Sequence, residues 1–341
     1  MQNHSWLTRR AMLRGITVAG GAGLLGFNPT TVLADGPPET GTIRLIRDPK
    51  FSVLCYAAQY IAEEFLKMEG FTDVRYVPKG VEGSEAQELI HDQADISAAL
   101  GVDWVIPIAN DDPVVVLAGL HSGCVELFAN DSVPTVSDLK GKRIAVHGLE
   151  SPERYLLASV VAHIGLDPNT DVEWVFGHPL DWAGMLVDGK VDAIAGFPPM
   201  NYALHEQKVG KVILNTTTDD PWRHYFCCML AARRDYAERY PIATNRALRA
   251  ILKANLLCIA DPETAARQLV ENKVTSSYEY ALQTLLDIPY TAWRDYDPEA
   301  AMRFYALRLR EAGLIDQTPE EIIARGTDWS IITQLRQELK A

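Results

Sequence analysis

Short apolar runs alternate with amphipathic stretches along the first two thirds of this chain, and the alternation starts twice. Residues 42–46 read as a strand, after which Leu54, Ala58, Ile61 and Phe65 recur at helical spacing. Residues 74–77 are a second strand. Ser84 opens the next helix as its N-cap, with Gln87 completing a capping box. Strands at 94–98 and 114–117 follow. This rhythm predicts a mostly parallel sheet covered by helices. The polar turn at 137–142 then restarts it with a strand at 143–146. Ser151 caps a helix that begins at Pro152 and buries Leu156, Leu157, Val160, Val161 and Ile164. Strands at 172–176, 191–195 and 212–214 complete a second, smaller α/β unit.

A strand at 225–231 is followed by sequence that reads as helix almost to the end. Pro241 starts a long helix with Leu248, Ile251, Leu252 and Ile259 on its apolar face, and Pro262, Pro298 and Pro319 mark further starts. These elements define two lobes. The first takes residues 35–129 plus 224–341, with a helical C-terminal tail, and the second takes 130–223. The chain then crosses twice, near 124–130 and 222–230, and two such crossings make a hinge with a cleft between the lobes.

The N-terminus reads as an address. Arg9 and Arg10 precede an apolar stretch from Gly15 to Phe27, and Val32-Leu33-Ala34 supplies small residues before a break. The apolar run falls short of the ~20 residues a membrane span needs. Residues 1–34 therefore read as a removable signal for the Tat translocase, cut near Ala34, which carries chains already folded. This leader holds three arginines and no acid, so the remaining 307 residues carry a formal charge of −16, against −13 for the whole chain. An acidic surface of this kind argues against nucleic acid and anionic membranes as partners.

The cysteines are Cys55, Cys124, Cys227, Cys228 and Cys258. Their number is odd and no C-x-x-C spacing occurs, so buried free thiols are expected, with a bridge from Cys124 to Cys227 or Cys228 as the alternative. Neighbours on a strand point to opposite faces, so only one of Cys227 and Cys228 is expected to face any given partner.

Several segments carry a family likeness in order. They are residues 133–146 opening the second lobe, Gly165-Leu166-Asp167-Pro168, residues 186–193, Phe197-Pro198-Pro199, and Asp92-Gln93-Ala94-Asp95-Ile96 in the first lobe. Over about 42–260 the chain resembles the periplasmic solute-binding proteins of ABC importers, in the nitrate/sulfonate/taurine branch that also holds the thiamine-precursor (NMT1/THI5-like) binders. The resemblance implies a type II periplasmic binding fold, α/β, with two lobes of mostly parallel sheets joined by two hinge strands. It implies a soluble periplasmic monomer that captures a small organic solute, anionic or aromatic and heterocyclic, and delivers it to an inner-membrane ABC permease. It implies no catalysis.

The same resemblance directs attention to the loops that follow the strands, where helix N-termini present free N–H groups to a ligand. In the first lobe these loops supply Phe51 and Ser52, Lys79, Gly83 and Ser84, Gly101, Val102 and Trp104, and His121. In the second they supply His147, Leu149 and Ser151, then Phe197, and Trp222 by the return crossing. Ser52 and Ser84 also serve as plain helix caps, and Gly101 as a backbone requirement. His121, His147, His178 and His224 all fall near the cleft, but no pair has tight ligand spacing. Neither a metal nor a cofactor is expected.

Two other readings stand beside this one. A pyrimidine-synthesising enzyme related to the eukaryotic THI5-like proteins shares the fold, but only Cys227-Cys228 echoes its longer cysteine motif. A sensor module that passes its closed state to a receptor has the same fold again, and only neighbouring genes distinguish it.

Overall fold

A computed structural model describes residues 36–47, 52–79 and 84–339. The twin-arginine leader, its cut near Ala34, Phe51 and Gly83 lie outside the described residues. Among the described residues ten strands form two five-stranded sheets. The strands are β1 (Thr42–Ile46), β2 (Asp73–Val77), β3 (Ile96–Leu100), β4 (Val114–Ser122), β5 (Glu126–Ala129), β6 (Arg143–Val146), β7 (Glu173–Phe176), β8 (Ala193–Gly196), β9 (Lys211–Asn215) and β10 (Phe226–Arg233). The first sheet has the order β2-β1-β3-β10-β4 and the second β7-β6-β8-β5-β9.

Four strands of each sheet run one way and the fifth opposes them. β10 lies antiparallel between β3 and β4, and β5 lies antiparallel between β8 and β9. Each opposing strand is the one that has just crossed from the other lobe. The sequence marks β5 only as crossing chain. Its pairing makes it an interior strand of the second sheet, so the chain changes sheets over residues 123–125, ahead of the expected junction at 129/130.

One device recurs in both lobes. The Asp95 carboxylate accepts from the Arg44 amide at 2.8 Å and from its Nη2 at 2.6 Å, while the Asp95 carbonyl accepts from Arg233 N at the end of β10. In the second lobe Asp192 accepts from Arg143 N at 2.9 Å and Nη2 at 2.9 Å, and its carbonyl accepts from Asn130 N just past β5. A single aspartate thus fastens the first strand, the third strand and the incoming antiparallel strand. Its side chain is committed sideways, so β3 and β8 each begin one residue after it rather than at 94 and 191.

The helical reading near Leu54 is broken into a 3-10 turn, Leu54–Tyr56, and two short helices, Ala57–Tyr60 and Glu63–Met68. The long helix runs Pro241–Ala260 as expected, with one difference. Its buried face passes through Asn255 and Cys258, leaving Ile259 exposed. Helices start at Pro262, Pro298 and Pro319. These C-terminal helices also reach the second lobe. Tyr280 Oη donates to Glu206 at 2.6 Å, and Asn169 Nδ2 donates to the Ala312 carbonyl at 3.1 Å. No helix among the described residues is long and apolar enough to cross a membrane.

Candidate functional site

The lobes meet along loops that follow the strands. Leu54 N donates to the Pro198 carbonyl at 2.9 Å, which brings the Ser52 and Phe197 segments together across the seam. Beside them lies a set of ionisable groups, three of them buried acids. Lys79 Nζ pairs with Glu85 Oε1 at 3.3 Å, and Glu85 is the residue that follows the Ser84 cap, whose Oγ accepts from Gln87 N. Asp103, in the turn after β3, is 1% exposed, and its Oδ2 has no hydrogen-bond partner among the described residues. Burial, reinforced by the Glu85 charge, raises the Asp103 carboxyl well above the usual carboxylate range, against the pull of Lys79 and the Ala86 amide. From the second lobe, buried Glu153 accepts from the His147 amide at 2.7 Å. Burial and the Asp103 charge also raise the Tyr155 phenol.

Ser151 occupies the N-cap position of the helix Pro152–His163, but its hydroxyl does not cap it. It donates to the Gly148 carbonyl at 2.9 Å, folding the loop back on itself. The first amides of that helix therefore receive no bond from the Ser151 side chain, at a point where the lobes face each other. The helix still carries Glu153 in its first turn.

Other sequence candidates fall elsewhere. Trp104 is fully buried and donates Nε1 to the Met229 carbonyl at 3.2 Å, so it packs into the core of the first lobe. Val102 is likewise fully buried. Gly101 is tightly packed: a Cβ there would sit 3.0 Å from the Tyr305 ring and 3.1 Å from Met229 Sδ, so one of those side chains would have to yield. Trp222 packs edge-on against His163 and Phe304, filling the space between the lobes' helices. Leu149 is exposed. The His147 ring meets His178 edge-on at 5.7 Å. Arg223 and His224 both pair with Asp220 at the surface.

His121 lies away from the seam carboxylates, fully buried among cysteines. Burial holds its imidazole below the ordinary histidine value. All five cysteines are free and buried. Cys124 Sγ lies 3.1 Å from Cys227 Sγ and 3.8 Å from Cys228 Sγ, so both neighbours reach it, contrary to strict strand alternation. The cause is irregular pairing of β10 with β4, whose register shifts on either side of Cys228. Burial alone would raise the Cys55 thiol, but hydrogen bonding with Cys124 and Cys228 brings it down to about 7.

A separate cavity of about 480 Å³ opens beside Cys124, between the second lobe and the helix Tyr278–Asp287. Glu126 organises its polar wall, accepting from His205 at 2.9 Å, Asn215 at 3.0 Å and Asn201 at 3.2 Å.

Sequence reasoning passed over Glu85, Glu153 and Tyr155, and placed Asp103 in the loop after the third strand without giving it a role. Acids just inside a helix N-terminus are ordinary dipole partners, so Glu85 and Glu153 carry no distinguishing signal. Asp103 represents a cost to the fold. A carboxyl whose folded value is raised stabilises only below the unfolded value of ~3.9 and loses that contribution as pH rises. Asp103→Asn should therefore raise the thermal midpoint at neutral pH, by about 1 kcal/mol of added stability. The gain should shrink toward pH 4. A midpoint that falls at pH 7 would contradict the assigned protonation.

Two sheets, each completed by an antiparallel strand from the other lobe, define the fold as that of the type II periplasmic binding proteins. Residues 112–271 match the sequence model of the NMT1-like family, in agreement with the resemblance carried by the motifs. No curated protein matches the chain in sequence. Among solved structures, a protein of Bordetella bronchiseptica RB50 is similar with a TM-score of 0.70 at 17% identity, covering 89% of this chain and 99% of that one. The alkanesulfonate-binding protein SsuA from Xanthomonas axonopodis pv. citri, bound to MOPS, gives a TM-score of 0.68 at 17% identity, covering 86% and 99%. The periplasmic nitrate-binding protein NrtA from Synechocystis PCC 6803 gives 0.69 at 14% identity, covering 89% and 90%. At these identities the likeness is one of fold.

Proposed function

We propose that this chain is the solute-binding component of an ABC importer, exported to the periplasm, where it holds a small organic solute between its lobes and carries out no turnover. The fold supports this reading, as does its likeness to sulfonate- and nitrate-binding proteins. The observation that carries the site is the seam itself, where half-buried Lys79 and the buried acids Glu85, Asp103 and Glu153 are gathered from both lobes. The lobe division at the two crossings, and the cleft roles of Ser52, Lys79, Ser84, His147, Ser151 and Phe197, belong to this proposal.

The charge of the seam refines the ligand. Three buried carboxyl groups stand against one lysine that is already paired. A bare anion would meet Glu153 and the Lys79-paired Glu85 there, whereas a flat nitrogen heterocycle could donate N–H groups to them and accept from the protonated Asp103 carboxyl. The heterocyclic alternative is therefore favoured over the anionic one, and aminopyrimidines are the first class to test.

A thermal-shift panel separates these classes, because a ligand that binds only the folded state stabilises by about 2.7 kcal/mol at a hundred times its dissociation constant. Aminopyrimidines should raise the midpoint, and alkanesulfonates and nitrate should leave it unchanged. The opposite pattern would overturn the charge argument while leaving solute binding intact. Ser151→Trp should weaken binding of whichever compound registers, by tenfold or more. Undiminished affinity would remove the Gly148–Ser151 loop from the site.

A further inference from the structure

Beside the two crossings, four buried donor groups converge from separate parts of the chain. Cys55 comes from the 3-10 turn Leu54–Tyr56, His121 from the end of β4, Cys124 from the first crossing and Cys228 from β10. The three Sγ atoms and one ring nitrogen of His121 all lie within 4.8 Å of one another. Cys55 Sγ is 4.0 Å and Cys124 Sγ 3.8 Å from Cys228 Sγ. A tetrahedral ion with ~2.3 Å bonds to sulfur holds its sulfurs roughly 3.8 Å apart, so these separations match what such an ion imposes.

The histidine supplies an independent observation. Its Nδ1 lies 3.2 Å from the Gly123 carbonyl and 3.4 Å from that of Ser122. A carbonyl oxygen only accepts, so these two contacts favour the tautomer with its proton on Nδ1, in which Nε2 presents its lone pair. Nε2 is buried and has no hydrogen-bond partner among the described residues. This is the arrangement of a ligating imidazole, whose second nitrogen is oriented by a backbone carbonyl. Tyr290 steadies the same corner, packing edge-on to the His121 ring at 5.4 Å and donating its hydroxyl to the Cys55 carbonyl at 3.1 Å.

We propose that Cys55, His121, Cys124 and Cys228 form a closed metal site for a thiophilic d10 cation, with Zn²⁺ as the first candidate and Cu⁺ as the second. Three thiolates and one imidazole select soft or borderline ions over magnesium or calcium. Four protein donors leave no open position, which makes the site structural. Binding releases the three thiol protons to solvent, and the ion fastens the first crossing to β4, β10 and the Cys55 turn. Export of an already folded chain, as the twin-arginine leader read from the sequence implies, suits a protein loaded before its thiols meet an oxidising compartment.

The test uses the reduced full-length protein. Titration with Co²⁺, a spectroscopic stand-in for Zn²⁺, should saturate at one equivalent with tetrahedral ligand-field bands and thiolate-to-metal charge-transfer absorption, and Zn²⁺ should displace it. Cys228→Ser should lose most of the charge-transfer intensity and weaken Zn²⁺ binding at least a hundredfold. Cys227→Ser keeps all four donors and should retain both. Wild-type protein that gives no charge-transfer bands overturns the proposal without reliance on any variant. Loss of binding in Cys227→Ser but not in Cys228→Ser overturns this donor set. A Cys124–Cys227 disulfide in protein purified under non-oxidising conditions overturns it too, because that bond withdraws Cys124 from the ion.

Discussion

Trp104→Ala should lower the thermal midpoint by roughly 6–15 °C, from a stability loss of about 3–5 kcal/mol. The side chain is fully buried, and its Nε1 is the donor to the Met229 carbonyl in the strand that completes the first sheet. Alanine leaves a cavity behind Gly101 and also deprives that carbonyl of its side-chain donor. Trp104→Phe separates the two contributions, since it retains most of the volume and removes only the hydrogen bond. It should cost about 1–2 kcal/mol. A Trp104→Ala protein that melts within a degree or two of wild type would show that the residue is not the core element described. Preserved stability together with lost solute binding would return it to the cleft.

The second large effect belongs to the paired aspartates. Asp95→Asn should cost about 2–3 kcal/mol, because it breaks an ion pair whose aspartate is buried and weakens the tie between β1 and β3. Asp192→Asn strikes the same joint in the second lobe, where the pair with Arg143 is more exposed, and should cost less. Burial would raise the Asp192 carboxyl, but the bonds from Arg143 outweigh it and hold the group below the usual range. A depressed carboxylate contributes stability above its unfolded value of ~3.9 and loses it as pH falls through the lower folded value. The difference in midpoint between wild type and Asp192→Asn should therefore be full at pH 7 and shrink below about pH 4. A difference that is constant across this range would mean that charge plays no part in the joint.

The alternating pattern made most of the strands legible, since a period-two or continuous apolar run survives any tertiary context. β5 escaped because four residues following a crossing have no pattern of their own, and only the strands waiting on either side make them a strand. The aspartates Asp95 and Asp192 stand in the quoted motifs, yet their role as fasteners requires knowing that Arg44 and Arg143 lie alongside. The site was legible as loops and not as chemistry. Ser84 and Ser151 marked the right helix starts, while the groups that charge the seam sit one or two residues beyond them and look like routine helix acids. Trp104 and Trp222 drew attention as aromatic residues near loops, and both side chains are buried against their neighbours. The cysteine and histidine donors come from three distant segments, so no spacing rule applied to one stretch at a time brings them together.

The exchange of strands between lobes also sets an order of assembly during synthesis. The second sheet is contiguous in sequence and has all its strands once Asn215 has been made. The first sheet cannot close then, because β3 and β4 are not neighbours and the gap between them belongs to β10, which ends at Arg233. Until that strand arrives, the facing edges of β3 and β4 are unpaired, and both strands are buried along their whole length in the finished fold. The inserted lobe is thus the first able to finish, and the lobe that begins the chain is the last. Any truncation between β9 and β10 would leave one completed lobe attached to an open, aggregation-prone sheet.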